Sequence, residues 1–84
     1  MNKNAFRSAM VLYNDNQIST AEYLGISRVA LADKLRERYD FRLVEIDMLA
    51  KRWNLTPQQI YDIFIKDATD NRKGQTMRER ISTD

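Results

Sequence analysis

The sequence predicts an all-α fold of five helices with a polar C-terminal tail, and three observations carry that reading. Apolar residues recur at helical spacing in three segments: Phe6, Ala9, Met10 and Tyr13; Leu43, Ile46, Leu49, Ala50 and Trp53; Ile60, Ile63 and Phe64. Between the first two lies Gln17 to Leu35, QISTAEYLGISRVALADKL, which reads as two short helices broken at Gly25. The segment boundaries carry turn and cap residues: Asn14-Asp15-Asn16, Gly25-Ile26-Ser27 and Thr56-Pro57.

Helix one spans Asn4 to Tyr13, with Phe6, Ala9, Met10 and Tyr13 at i, i+3, i+4 and i+7 on one face. Asn14-Asp15-Asn16 then reverses the chain, and Asn16 caps helix two. A start at Ser19, with Ser19 and Glu22 as a capping box, would leave barely one turn, so the longer helix is preferred. Helix two ends on Leu24, where Gly25 takes the left-handed conformation without a Cβ penalty. Ile26 turns inward, and Ser27 caps a third helix from Arg28 to about Arg38. Ala21, four residues before Gly25, lets the two helices cross at close range, with Leu24, Ile26, Leu31 and Leu35 sealing the contact.

Tyr39-Asp40-Phe41 ends that pattern, and helix four follows with Leu43, Ile46, Leu49, Ala50 and Trp53 inward. Trp53 is assigned to the core because it falls in register with those residues. Asn54-Leu55 closes helix four, and Thr56, Pro57 and Gln59 occupy N-cap, N1 and N3 of helix five, which fades near Lys66. From Asp67 apolar residues become sparse and Gly74 interrupts any helix, so 1–66 is read as the folded domain and 67–84 as a mobile polar tail. Met77 and Ile81, spaced i and i+4, bury too little to hold a helix alone.

Composition narrows the function. At 84 residues the chain has room for one small domain. Without cysteine or histidine it lacks thiolate chemistry, disulfides, and the commonest general base and metal ligand. Glu45, Asp47 and Asp62 have no partner at catalytic spacing, and there is no glycine-rich phosphate loop or metal-ligand cluster. An enzyme is therefore not expected, nor is any catalytic residue, cofactor or metal. No stretch of about 18 apolar residues occurs and MNKNAFRSAM lacks a signal-like apolar run, so a soluble protein of the cytoplasm is expected, with no membrane partner. The charge of +2 and pI near 9.1 are compatible with nucleic acid without requiring it; Arg28, Lys34, Arg36, Arg38 and Arg42 form a modest basic cluster against Asp33, Glu37 and Asp40.

The pattern Gln17, Ala21, Leu24-Gly25-Ile26, Leu31 and Leu35 resembles the helix-turn-helix of phage Cro and repressor proteins, the lambda-repressor-like or XRE family. Thr20 and Ala30 also fit the Cro variant, and the resemblance runs from about Phe6 to Phe64. It implies that Gln17 touches a phosphate and that Ser27, Arg28, Val29, Ala32 and Asp33, on or opening the second helix, meet base edges in the major groove. It further implies a phage or prophage setting, association with the host nucleoid, and an operator with two half-sites. Asp33 departs from the pattern, standing where a lysine or polar donor would sit more comfortably beside DNA.

Val29, Ala32, Asp33 and Arg36 form a stripe opposite Leu31 and Leu35. With DNA as partner, Arg28 donates to guanine O6 and N7, Val29 and Ala32 touch a thymine methyl, Arg36 reaches phosphate and Asp33 accepts from cytosine N4. The alternative is that Arg28 and Arg36 are solvated surface arginines, with Asp33 paired to Arg36, and Gln17 an exposed helix-start residue. Three functions stay open: a DNA-binding transcriptional regulator, a protein-binding module acting as antirepressor or inhibitor, and a DNA-binding antitoxin whose tail folds on the toxin. Tyr61 and Ile65 flank the core face of helix five and form the expected homodimer surface, unless Met77 or Ile81 folds back on Ile65.

Overall fold

A computed structural model describes residues 1–66 and shows an all-α arrangement: α1 (Lys3–Leu12), α2 (Gln17–Leu24), α3 (Arg28–Leu35), α4 (Leu43–Arg52) and α5 (Pro57–Ile60), which runs directly into a π-helical segment, Tyr61–Ile65. The tail expected over 67–84, with Met77 and Ile81, lies outside the described residues. Among the described residues no helix is long and apolar enough to cross a membrane.

Each start has its reason in a cap. Asn2, Asn16, Ser27 and Thr56 accept from the backbone amides of Ala5, Ser19, Ala30 and Gln59. Asn16 pairs with Ser19 in a reciprocal box, so helix two begins at Gln17 as the sequence predicts, and Thr56 does the same with Gln59. The ends share one device. Asn14, Gly25, Glu37 and Asn54 all have left-handed backbone, with φ of 60°, 73°, 65° and 53°. In each case the next amide bonds back to the fifth carbonyl before it: Asp15 to Met10, Ile26 to Ala21, Arg38 to Asp33 and Leu55 to Ala50. This corrects the expected end of helix three. The helix stops at Leu35 rather than Arg38 because Glu37 turns left-handed and reverses the chain.

The core is built around four rings. Phe6 meets Trp53 edge-on at 5.1 Å and Phe64 at 6.0 Å, and Phe41 lies 5.5 Å from Phe6 and 5.4 Å from Phe64. Met10, Leu24, Leu49 and Ile63 complete the buried cluster, with Ile26, Leu35, Ile46, Leu55 and Ile60 packed against it. Trp53 is thus in the core, as expected. Phe41, read only as part of a break, supplies a ring because the segment after the Glu37 reversal folds back over Phe6.

Two apolar assignments fail. Leu43 is 83% exposed while Glu45 is 1% exposed. The buried face of α4 runs through Glu45, Leu49 and Trp53, and Leu43 lies about 200° around the helix from Glu45 at 100° per residue. Tyr13 falls past the last residue of α1 and is exposed. In helix five the π turn, in which the Lys66 amide bonds to the Tyr61 carbonyl, still places Ile63 and Phe64 inward. The Asn2 amide donates to the Ile63 carbonyl at 2.8 Å, fastening the start of α1 to that segment.

Candidate nucleic-acid interface

The sequence pairs α2 with α3 through a three-residue connection, Gly25-Ile26-Ser27. Gly25 has φ of +73° and open space where a Cβ would stand, so its requirement is backbone conformation rather than room. Ala21 and Thr20 are buried on the inner side of α2, Leu31 on that of α3, and Ile26 and Leu35 pack on the core, as the close crossing requires.

Two ionic braces fix this pair against α4. In the first, the Asp15 carboxylate, with its side chain 4% exposed, accepts from Arg52 Nε at 2.7 Å, Arg52 Nη2 at 2.9 Å, Trp53 Nε1 at 2.7 Å and Ser19 Oγ at 2.9 Å. The hydrogen-bonded Arg52 guanidinium holds the Asp15 carboxyl well below its usual range, with Trp53 and Ser19 adding to it, against burial that pushes the other way. Asp15 in turn raises Arg52 above its ordinary value. The guanidinium also lies 4.5 Å over the Tyr23 ring, and Tyr23 donates to the Met48 carbonyl at 3.2 Å, so α2 is tied to the C-terminal half of α4 at two points.

The second brace holds α3. Lys34 Nζ sits 3.2 Å from Glu45 Oε1, donates to the Asp40 carbonyl at 3.1 Å and lies 5.8 Å from the Phe41 ring. Glu45 also accepts from the Arg42 amide at 2.8 Å, and Arg42 Nε lies 3.4 Å from its other oxygen. Burial alone would raise the Glu45 carboxyl, but the Arg42 amide and Lys34 outweigh it and the group sits below its ordinary value. Lys34 therefore belongs to the scaffold and not to the outward basic cluster.

What remains outward is a short face. Arg28 is exposed at the first position of α3 and has no ion pair among the described residues; Val29 beside it is 71% exposed. Ala32 and Asp33 are half-buried further along, and Arg36 follows at the cap. Gln17 is exposed at the first position of α2. Ser27 is occupied as the cap, accepting from the Ala30 amide at 3.0 Å. Asp33 Oδ1 is 3.6 Å from Arg36 Nη1 and 4.0 Å from Arg38 Nε, so the acid is paired with arginines in the isolated chain. Arg38, like Arg42, is an outward charge to which the sequence assigned no individual role.

The residues missed from sequence are the brace residues, Asp15, Tyr23, Lys34, Glu45 and Arg52. Glu45 had a partial signal, standing three residues after the Arg42 cap where a capping-box glutamate stands. Tyr61 and Ile65 are both exposed on the outer side of the π segment. The chain matches no protein-family model, curated protein or solved structure with which it was compared.

Proposed function

We propose that this chain is a sequence-specific regulator that binds double-stranded DNA as a lambda-repressor-like, Cro- or repressor-type helix-turn-helix protein, with α3 as recognition helix. The observation that supports it is the free N-terminal half of α3: Arg28 without an ion pair among the described residues and Val29 exposed, on a helix braced from behind through Lys34 and Glu45. Short side chains at Val29 and Ala32 let such a helix sit deep in a groove, and Arg28 has the reach and the donor pair for guanine O6 and N7.

Fluorescence anisotropy with genomic fragments tests the reading. The wild type is expected to bind at low salt, with a slope of about −0.9 per neutralised phosphate. Arg28→Ala should cost about 1–3 kcal/mol on the preferred fragment and relax preference at one base pair. Arg36→Ala should weaken all sequences alike. Identical profiles for the two variants would contradict the assigned roles, and a folded protein that binds no fragment would contradict DNA binding. That second result would favour the protein-binding reading, which has its own support: Asp33 offsets part of the charge of Arg36 and Arg38, and Val29 stands exposed on the same face. The antitoxin reading rests on 67–84, outside the described residues.

A further inference from the structure

The turn that ends α3 brings the outward arginines back over an acid on the same face. Glu37 reverses the chain, the Arg38 amide returns to the Asp33 carbonyl at 2.9 Å, and the Arg36 and Arg38 guanidinium groups converge on one oxygen of the Asp33 carboxylate. Asp33 is 21% exposed and anchored within the helix, whereas the two arginine side chains are 65% and 69% exposed. At 3.6 and 4.0 Å these contacts exceed hydrogen-bond length, so they are held by charge alone and yield to a better anion.

We infer that Asp33 competes with DNA phosphate for Arg36 and Arg38, and so holds down binding to duplex DNA of any sequence while leaving base contacts from Arg28 untouched. The inference rests on the DNA-binding reading above. An acid on the recognition face weakens the sequence-independent part of binding in two ways: it repels the backbone, and it occupies the two cations best placed to reach it. Contacts to base edges do not depend on those cations. The penalty falls on specific and non-specific duplex alike, so Asp33 lowers both affinities while their ratio stays with the base contacts.

The substitution Asp33→Asn keeps the shape, and the backbone bond that shapes the turn comes from the Asp33 carbonyl, which the change leaves in place. On a random-sequence duplex at about 50 mM salt, Asp33→Asn is expected to bind about tenfold more tightly than wild type, with a salt slope steeper by about one to two phosphates' worth. Asp33→Glu should behave as wild type, and most of the gain should be lost when Arg36→Gln and Arg38→Gln are added, leaving only the part that comes from relieved repulsion of the backbone. On a duplex selected from a random pool by the wild type, Asp33→Asn should gain by the same factor and keep its discrimination. Three results overturn the inference while leaving DNA binding intact: no gain on random duplex, a gain undiminished by loss of both arginines, or a loss confined to the selected site, which would assign Asp33 to cytosine N4. If neither wild type nor Asp33→Asn binds any duplex while circular dichroism shows both folded, the DNA reading falls and the inference falls with it.

Discussion

An amide in place of the Asp15 carboxylate would keep the acceptor for Trp53 Nε1 and turn an N–H₂ toward the Arg52 guanidinium, setting donors against donors in a nearly enclosed site. Hydrogen bonds to charged groups contribute about 1.5–3 kcal/mol each, so Asp15→Asn should destabilise the domain by about 2–4 kcal/mol. That is a large share of the few kcal/mol available to so small a domain. Urea unfolding followed by the fluorescence of Trp53, whose indole is in the network, measures it; a change under about 0.5 kcal/mol would deny Asp15 its bracing role. The pH dependence has a definite sign. A carboxyl whose folded pKa lies below its unfolded one adds stability that is complete above the unfolded value and drains away as pH falls toward the folded one. Asp15 and Glu45 both qualify, so stability should decline on acidification from the ordinary carboxylate values of 3.8 and 4.5 downward, and less in Asp15→Asn. The role of Asp15 was not legible in the sequence, for a physical reason: it sits in a polar turn whose composition already accounts for it, and its partners Arg52 and Trp53 are 37 and 38 residues away.

Helix boundaries depend on neighbours within one turn, which is why most were legible. Asn16, Ser27, Thr56 and Gly25 do what their side chains, or the lack of one, favour in isolation. Glu37 is the exception, a residue with no preference for left-handed backbone held at φ 65° by the bonds from Glu37 and Arg38 to the carbonyls of Lys34 and Asp33. Left-handed backbone costs a residue with a Cβ about 1–2 kcal/mol, while glycine costs about 0.4–1 kcal/mol through the unfolded chain. Glu37→Gly is thus expected to raise stability by about 0.5–1 kcal/mol. The ion pair lost with it, to the Met1 ammonium at 3.4 Å, is exposed on the glutamate side and offsets only part of the gain. Thermal unfolding compares the two; a fall in midpoint for Glu37→Gly, with Glu37→Val no worse, would show that the conformation carries no strain. In α4 the periodicity was legible but the face was rotated, because a buried glutamate occupies a position that an apolar count cannot assign. The outward stripe of α3 was readable from the same arithmetic, whereas its pairing with Arg38 required the Glu37 reversal to be known.

At the scale of the whole molecule, one domain presents one α3, and under the proposed DNA-binding function an operator with two half-sites needs two. Two copies related by a two-fold axis meet that need only if their α3 helices lie about 34 Å apart, one turn of DNA. Tyr61 and Ile65, 42% and 41% exposed, stand on the outer side of the segment whose inner side carries Ile63 and Phe64 in the core. A contact there would join copies through a segment fastened to α1 by the Asn2 amide, so the two recognition faces would be held at fixed separation. The expectation is a dimer whose formation Ile65→Asp abolishes, because a carboxylate pressed against its own copy at the two-fold axis is both desolvated and repelled. Sedimentation at high micromolar concentration should give a dimer for the wild type and a monomer for Ile65→Asp. The variant should still bind a half-site as the wild type does and lose its advantage on the two-half-site duplex. A monomeric wild type, with a chain ending at Asp67 associating in its place, would instead assign the cover of Ile65 to residues 67–84. Dimers that persist in Ile65→Asp would move the interface to another exposed apolar group, with Leu12 and Val11 on α1 or Leu43 and Val44 on α4 the next surfaces to mutate.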